Sequence, residues 1–361
     1  MTKRVYNFCS GPCTLPESVL KEVQSEFLDF QGHGMSLIEM SHRSPEYEAV
    51  HDAALGSFRS LYGVPDDFEI LFLQGGATLQ FAMVPMNLLH DGDRAGYVRS
   101  GTWGLGAESD AAFYGRVYTA WDGKPISYSR MPADEELIIE PGSKYLHVTS
   151  NETIEGIRYA DFPEVGVPLV ADMSSDYMSR PIPWDRFDLV YGGAQKNLGP
   201  AGLVVVVIRK ELLSKTNRNH ATYLRFDLQA EKRSLLNTPP MFPIYVMGKT
   251  LKWIESQGGV EAMQTRAMRR SGEIYSAIDG SEGFYRSPVE PASRSHMNVV
   301  FKLPDQELES AFLAAAEEES MVNLKGHRSV GGIRASIYNA MSDEGVAALS
   351  GLMSRFAADR G

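Results

Sequence analysis

A single lysine, Lys196, sits in a bed of small residues, Gly-Gly-Ala-Gln-Lys-Asn-Leu-Gly-Pro-Ala-Gly (192–202). The run directly after it, Leu-Val-Val-Val-Val-Ile (203–208), reads as a buried strand. Lysine ordinarily stands on solvated faces. Here two readings are open: a surface-turn lysine, or an amine placed to react. One strand earlier, Asp172 ends the apolar run Pro-Leu-Val-Ala-Asp (168–172). A carboxylate there is costly unless a cation or hydrogen bonds satisfy it. It reads either as an N-cap or loop aspartate, or as the counter-ion of a cationic ring nitrogen. A third feature is Leu-Gln-Gly-Gly-Ala-Thr-Leu-Gln-Phe (73–81). Gly75 and Gly76 let the backbone approach an anion, and Ala77 and Thr78 open a helix whose N–H groups and positive end face it. The same residues also read as a tight turn with Thr78 as N-cap. They match neither a Walker sequence nor a dinucleotide fingerprint, so nucleotide binding has little support.

Ligands of parallel sheets bind beyond the carboxyl ends of the strands, where these three features fall. A lysine, an aspartate and an anion cradle are the set that a pyridoxal 5′-phosphate enzyme needs. The amine forms a Schiff base, the aspartate keeps the pyridinium nitrogen protonated, and the cradle anchors the phosphate. Desolvation among small residues lowers the pKa of such a lysine and frees its amine.

Elements must hold these groups in place. Residues 16–30 and 44–63 read as helices, the second with Ser44 as N-cap and Gly63 as its stop. Residues 68–89 read as strand, turn and helix. Short apolar strands over 94–100, 144–150, 168–175, 188–193 and 203–208 alternate with helical stretches such as 103–115. This alternation predicts a mostly parallel sheet covered on both faces. Beyond residue 255 the pattern turns to helices with strands near 296–303 and 332–338, a second and smaller α+β domain.

With 43% hydrophobic and 22% charged residues, the 361-residue chain has a globular and not a disordered composition. A net charge of −11 argues against general nucleic-acid binding, while a pocket in an acidic protein can still be locally basic. No apolar stretch approaches membrane-span length, and no apolar region follows the basic residues of Met-Thr-Lys-Arg, so neither membrane nor secretion is expected. Cys9 and Cys13 are the two cysteines. They lack a second Cys/His pair at zinc spacing and predict reduced thiols in a cytoplasmic protein without a metal site.

The segments Phe-Cys-Ser-Gly-Pro-Cys-Thr-Leu-Pro (8–16), Ser-His-Arg-Ser (41–44), Gly-Thr-Trp-Gly (101–104), Ser-Asn-Glu-Thr-Ile-Glu-Gly (150–156), the Lys196 segment and residues 324–341 carry a resemblance that runs end to end. The chain resembles the phosphoserine aminotransferase family, class V members of the fold-type I pyridoxal-phosphate enzymes. That resemblance implies an α/β large domain over 16–255, with a mostly parallel seven-stranded sheet flanked by helices. A smaller α+β domain would combine 1–15 with 256–361. It implies a catalytic Lys196 that carries the Schiff base and shuttles the proton, with Asp172 on the ring nitrogen. Trp103 would stack on the ring and Thr153 would bond near its phenolic oxygen. Gly76, Ala77, Thr78 and Gln195 would contact the phosphate, joined by Asn237 and Thr238 from a neighbouring subunit. Arg334 would take the substrate α-carboxylate. His327 and Arg328, with His42 and Arg43 of the neighbouring subunit, would take the substrate phosphate or γ-carboxylate, and Ser10 would lie near the substrate.

The implied reaction moves the amino group of L-glutamate to 3-phosphohydroxypyruvate, giving O-phospho-L-serine and 2-oxoglutarate in serine synthesis. Many members of the family also act on a related acid of pyridoxine synthesis. The implied assembly is a homodimer with a shared active site. Two departures stand out: small residues replace an arginine seen at the phosphate turn of some members, and cysteines occupy positions 9 and 13, with Cys9 expected at the pocket edge. The alternatives are a serine–glyoxylate type aminotransferase, a cysteine desulfurase and a non-catalytic cofactor-binding homologue. The N-terminal position of both cysteines counts against the desulfurase.

Overall fold

The structure, a computed structural model, describes residues 4–361. Residues 1–3, part of the segment expected in the smaller domain and of the N-terminus read for targeting, lie outside the described residues. Seven strands form the main sheet: β1 (Phe68–Gln74), β2 (Arg94–Arg99), β3 (Arg116–Asp122), β4 (Ser143–Thr149), β5 (Leu169–Asp172), β6 (Leu189–Gly193) and β7 (Leu203–Arg209). Their spatial order is β1-β7-β6-β5-β4-β2-β3. The pairings are parallel except those of β7, which runs antiparallel to β1 and to β6. The expected mostly parallel seven-stranded sheet is the one observed.

Period-two alternation explains why β7 is apolar along its whole length. Val205 and Val207 join the core on one face, with Phe58 and Ile244. Val204 and Val206 join the core on the other, with Phe81 and Val84. Fully burying each such side chain is worth roughly 1.5–3 kcal/mol, and both faces are filled because helices cover both. Phe58 comes from α2 (Pro45–Tyr62), which follows α1 (Glu17–Glu26). On the second face lie α3 (Ala77–Leu88) and α4 (Thr102–Ala111), while Ile244 belongs to α5 (Met241–Ser256). Ser44 caps α2 by accepting the Tyr47 N–H at 3.3 Å, and Gly63 ends it at φ +62°, both as expected. The helix expected over 16–30 stops at Glu26. Asp29 accepts the Gly34 N–H at 2.7 Å and Gln31 takes a left-handed φ of 54°, which turns the chain out of helix. The helix expected over 103–115 starts one residue early and ends at Ala111.

A second apolar core gathers Phe8 with Ile274, Tyr285, Phe301, Phe312, Ile333 and Phe356. It is built around α6 (Gly259–Asp279), β8 (Asn298–Phe301), α7 (Gln306–Glu318), β9 (Ile333–Ser336) and α8 (Asp343–Arg360), with β8 and β9 antiparallel. Tyr6–Asn7 pairs in parallel with Met321–Val322, which ties the N-terminus to this core. No helix of the described residues is long and apolar enough to cross a membrane.

Candidate active site

Sheet register gathers the site. Thr149 pairs with Asp172, Asp172 with Tyr191, and Gln74 with Leu203, so β1, β4, β5 and β6 deliver their carboxyl ends to one edge. Lys196 lies in the turn between β6 and β7 and is 8% exposed, so it is not a surface-turn lysine. Backbone bonds from Gly199 N to Ala194 O (2.8 Å) and Ala194 N to Leu203 O (2.9 Å) close this turn. The N-terminal loop lies on it: Cys13 N donates to Gln195 O at 3.1 Å, and Cys13 Sγ donates to Lys196 O. Burial pushes the Cys13 thiol up to about 12, so it acts as a neutral tether.

Lys196 Nζ donates to Thr153 Oγ1 at 2.6 Å and stands 5.8 Å from the centroid of the Trp103 ring. Burial pulls the amine down to about 8, against the upward pull of Asp172 and Glu152 and with the help of the Arg334 charge. Asp172 is buried at the end of β5 and accepts Ser174 N (2.8 Å) and Ser174 Oγ (2.6 Å). Burial raises its carboxyl, while the Ser174 bonds and Lys196 oppose that. Ser174 Oγ in turn accepts Gly193 N at 3.1 Å, which links the aspartate to the lysine turn.

Gly76, not Thr78, is the N-cap of α3; Thr78 is the second helical residue, so its hydroxyl is free of the capping task. Gly75 takes a φ of +95°, which a side chain would resist. Among the described residues no protein acceptor meets the Ala77 and Thr78 N–H groups. These three residues of the cradle, Gly76, Ala77 and Thr78, line one cavity of about 100 Å³ together with Trp103, Asp172, Gln195 and Lys196. A Cβ on Gly193 would lie 2.3 Å from Gln195 Oε1, so glycine there leaves the Gln195 amide its place.

Thr149 and Asn151 also line this cavity, as do Ser174 and Ser175, none of which sequence reasoning singled out. Their signal is positional: Thr149 ends β4, and Asn151, Ser174 and Ser175 lie two or three residues beyond the ends of β4 and β5. Thr149 Oγ1 and Trp103 Nε1 are buried without a partner. A buried hydroxyl without a partner, unpaired helix-start amides and a buried amine–carboxylate pair fit an aromatic, phosphorylated carbonyl cofactor. Among the described residues no cluster of three or more His, Cys, Asp or Glu side chains is arranged to hold a metal.

Arg334, on β9, is half-buried, and its Nη2 donates to Ser10 Oγ at 2.8 Å. Tyr338 Oη fixes the same loop by donating to Ser10 O at 2.8 Å. His327 shares a small cavity with Arg334 and bonds Ser329 Oγ through Nδ1 at 2.7 Å. Burial first, then the charges of Arg334 and Arg328, hold the His327 imidazole below its usual range. Arg328 is exposed. His42 and Thr238 meet each other instead, Oγ1 to Nδ1 at 3.2 Å, and Thr238 O accepts Gln74 Nε2 at 2.8 Å. Arg43, Asn237 and Thr238 are exposed, and none of these four residues lines the Lys196 cavity of its own chain.

The fold is that of the class-V aminotransferases, whose family profile matches residues 5–349. The chain is 49% identical to the phosphoserine aminotransferase of Lysinibacillus sphaericus, with 99% of each chain covered. Its structure superposes on that of phosphoserine aminotransferase from Bacillus circulans subsp. alkalophilus with a TM-score of 0.97 at 48% identity, covering 99% of both. It also superposes on the pyridoxal-phosphate-bound enzyme from Trichomonas vaginalis with a TM-score of 0.93 at 34% identity, covering 97% of this chain and 99% of that one. The chain belongs to the phosphoserine aminotransferase family, a family of pyridoxal-phosphate enzymes.

Proposed function

We propose that the protein transfers the amino group of L-glutamate to 3-phosphohydroxypyruvate, giving O-phospho-L-serine and 2-oxoglutarate. The observation that carries this reading is a buried amine, Lys196 Nζ, set between Thr153 and the Trp103 ring, with the cationic Arg334 group acting on it from β9. Bound in the cavity, pyridoxal 5′-phosphate supplies a carbonyl for the amine and a ring that takes up electrons from the substrate Cα.

The chain's own residues do the rest. Lys196 Nζ takes the proton from the Cα of the amino-acid donor and supplies one to the Cα of the keto-acid acceptor, and its lowered pKa keeps a larger share of the amine neutral for that task than an ordinary lysine's. Asp172 places a carboxylate where positive charge on the ring nitrogen is to be held. Thr153 orients Nζ, and Trp103 walls the cavity from water. The α3 amides, Thr78 and Gln195 bind the cofactor phosphate. Arg334, braced by Ser10, grips the α-carboxylate through its fork. His327 and Arg328 read the substrate phosphate.

We further propose a homodimer in which Asn237, Thr238, His42 and Arg43 complete the site of the other subunit. The exposure of Arg43, Asn237 and Thr238 and the buried, unpartnered Nε2 of His42 support this. The two-domain division at 16–255 against 1–15 with 256–361 is supported by the separate core around Phe8 and Phe301. A cytoplasmic location fits two free cysteines, and the same cationic set suits the phosphorylated acid of pyridoxine synthesis. A serine–glyoxylate type enzyme or a non-catalytic homologue would leave the phosphate-reading cations without a task.

The test is to supply the holoenzyme with O-phosphoserine and 2-oxoglutarate and assay glutamate. Rapid glutamate formation with O-phosphoserine and little with serine is expected; equal rates with both would refute the assignment.

A further inference from the structure

The first turn of α4 carries Trp103, but its N-cap is Gly101, which has no side chain to bond the turn's free N–H groups. Two glutamates from a distant hairpin take all three. Thr102 N donates to Glu155 Oε1 at 3.0 Å. Trp103 N donates to Glu152 Oε2 at 3.1 Å, and Gly104 N to Glu152 Oε1 at 2.9 Å. Side chains add to this: Ser100 Oγ donates to Glu152 Oε1 at 3.1 Å, and Thr102 Oγ1 to Glu155 Oε1 at 2.7 Å. The sequence leaves room for the arrangement. A Cβ on Gly101 would lie 2.5 Å from Glu155 Oε2 and 2.7 Å from Glu152 Cδ, and one on Gly104 would lie 2.5 Å from Val98 O.

Both glutamates are buried, and among the described residues neither has an ion-pair partner. Burying a carboxylate without a cation is costly, and these five donors with the positive helix end are what offset it. Burial and the nearby Glu155 raise the Glu152 carboxyl, and the Gly104, Trp103 and Ser100 bonds oppose that by favouring its charged form. Thr153, the acceptor for Lys196 Nζ, is the residue next to Glu152. One short segment therefore touches both the lysine and the tryptophan wall.

We infer that Glu152 is a positioning residue: by bonding Trp103 N and Gly104 N it sets the Trp103 ring over the cavity, in register with the amine that Thr153 holds. This rests on the reading that Trp103 stacks on the cofactor. The test uses cofactor titration followed through tryptophan fluorescence quenching, and the circular dichroism of the bound cofactor at saturating cofactor.

Glu152→Gln keeps the oxygen shared by Ser100 and Gly104 but turns an amide N–H₂ toward Trp103 N–H. It is expected to weaken cofactor binding about tenfold, the factor that one hydrogen bond to a charged group supplies, and to change the visible dichroism. Ser100→Ala, which leaves the Trp103 bond intact, is expected to preserve both. Trp103→Phe identifies the Trp103 share of the quenching; if quenching survives it unchanged, the stacking reading itself fails and the inference falls with it. If Trp103→Phe abolishes that share while Glu152→Gln binds and reports like the wild type, the stacking reading stands and the inference is overturned. Hydrogen exchange of the wild-type holoenzyme serves even if Glu152→Gln does not fold. The Trp103 and Gly104 amides should exchange slowly, and exchange at the rate of uncapped helix-start amides would also overturn it.

Discussion

Replacing Lys196 by methionine should stabilise the cofactor-free protein, and the size of the effect should depend on pH. The native amine is pulled from 10.5 to about 8 by burial. At about 1.4 kcal/mol per pKa unit, that shift costs the folded state about 3 kcal/mol wherever the lysine is charged in both states. The sign follows from proton counting. Below pH 8 both the folded and unfolded lysine are protonated, so the full penalty applies. Between pH 8 and 10.5 the unfolded chain binds more protons, so wild-type stability gains with rising pH. Above 10.5 the penalty is gone. The upward pull of Asp172 and Glu152 is already contained in that net shift, so about 3 kcal/mol is expected at pH 7. Denaturant unfolding of both proteins, stripped of cofactor, at pH 7 and at stepped values up to 10 measures it. A variant advantage at pH 7 that shrinks as pH climbs supports the reasoning. A variant no more stable at pH 7, with a difference that does not vary with pH, refutes it.

Other perturbations test the substrate side. Arg334→Ala should weaken both amino-acid substrates by about 2–5 kcal/mol, the range for truncating one partner of a buried charge pair; wild-type KM values would refute its role. The double change His327→Ala with Arg328→Ala should impair O-phosphoserine far more than an unphosphorylated analogue, and equal losses would mean that these residues do not read phosphate. Lys196→Ala and Thr238→Ala subunits, each impaired alone, should recover activity when mixed and re-paired, because one site of the mixed dimer is then intact. No recovery would contradict a shared site.

Lys196, Asp172 and the Gly75–Gly76 turn are legible in the sequence because each breaks a local rule. A charge ends an apolar strand, or glycines interrupt a strand-to-helix run, and the cost of such breaks demands a compensating role. Thr149 and Ser174 break no rule. Their place follows from the pairing of Thr149 with Asp172, a register that no single segment encodes. The antiparallel run of β7 is equally silent, since Leu203–Ile208 is buried on both faces whichever way it points. The helix that was expected to continue to residue 30 ends early through a side-chain bond from Asp29, a local competition that apolar spacing does not reveal. Nothing local in the sequence assigns Glu152 and Glu155 a task, and only the fold brings them to the bare N-terminus of α4.

The account turns on Lys196 as the residue that bonds the cofactor. Borohydride reduction of the holoenzyme followed by peptide mapping tests this directly. The reduced cofactor label should appear on the peptide that contains Lys196, and on that lysine within it. A label on any other lysine, or none with cofactor still bound, would contradict the account.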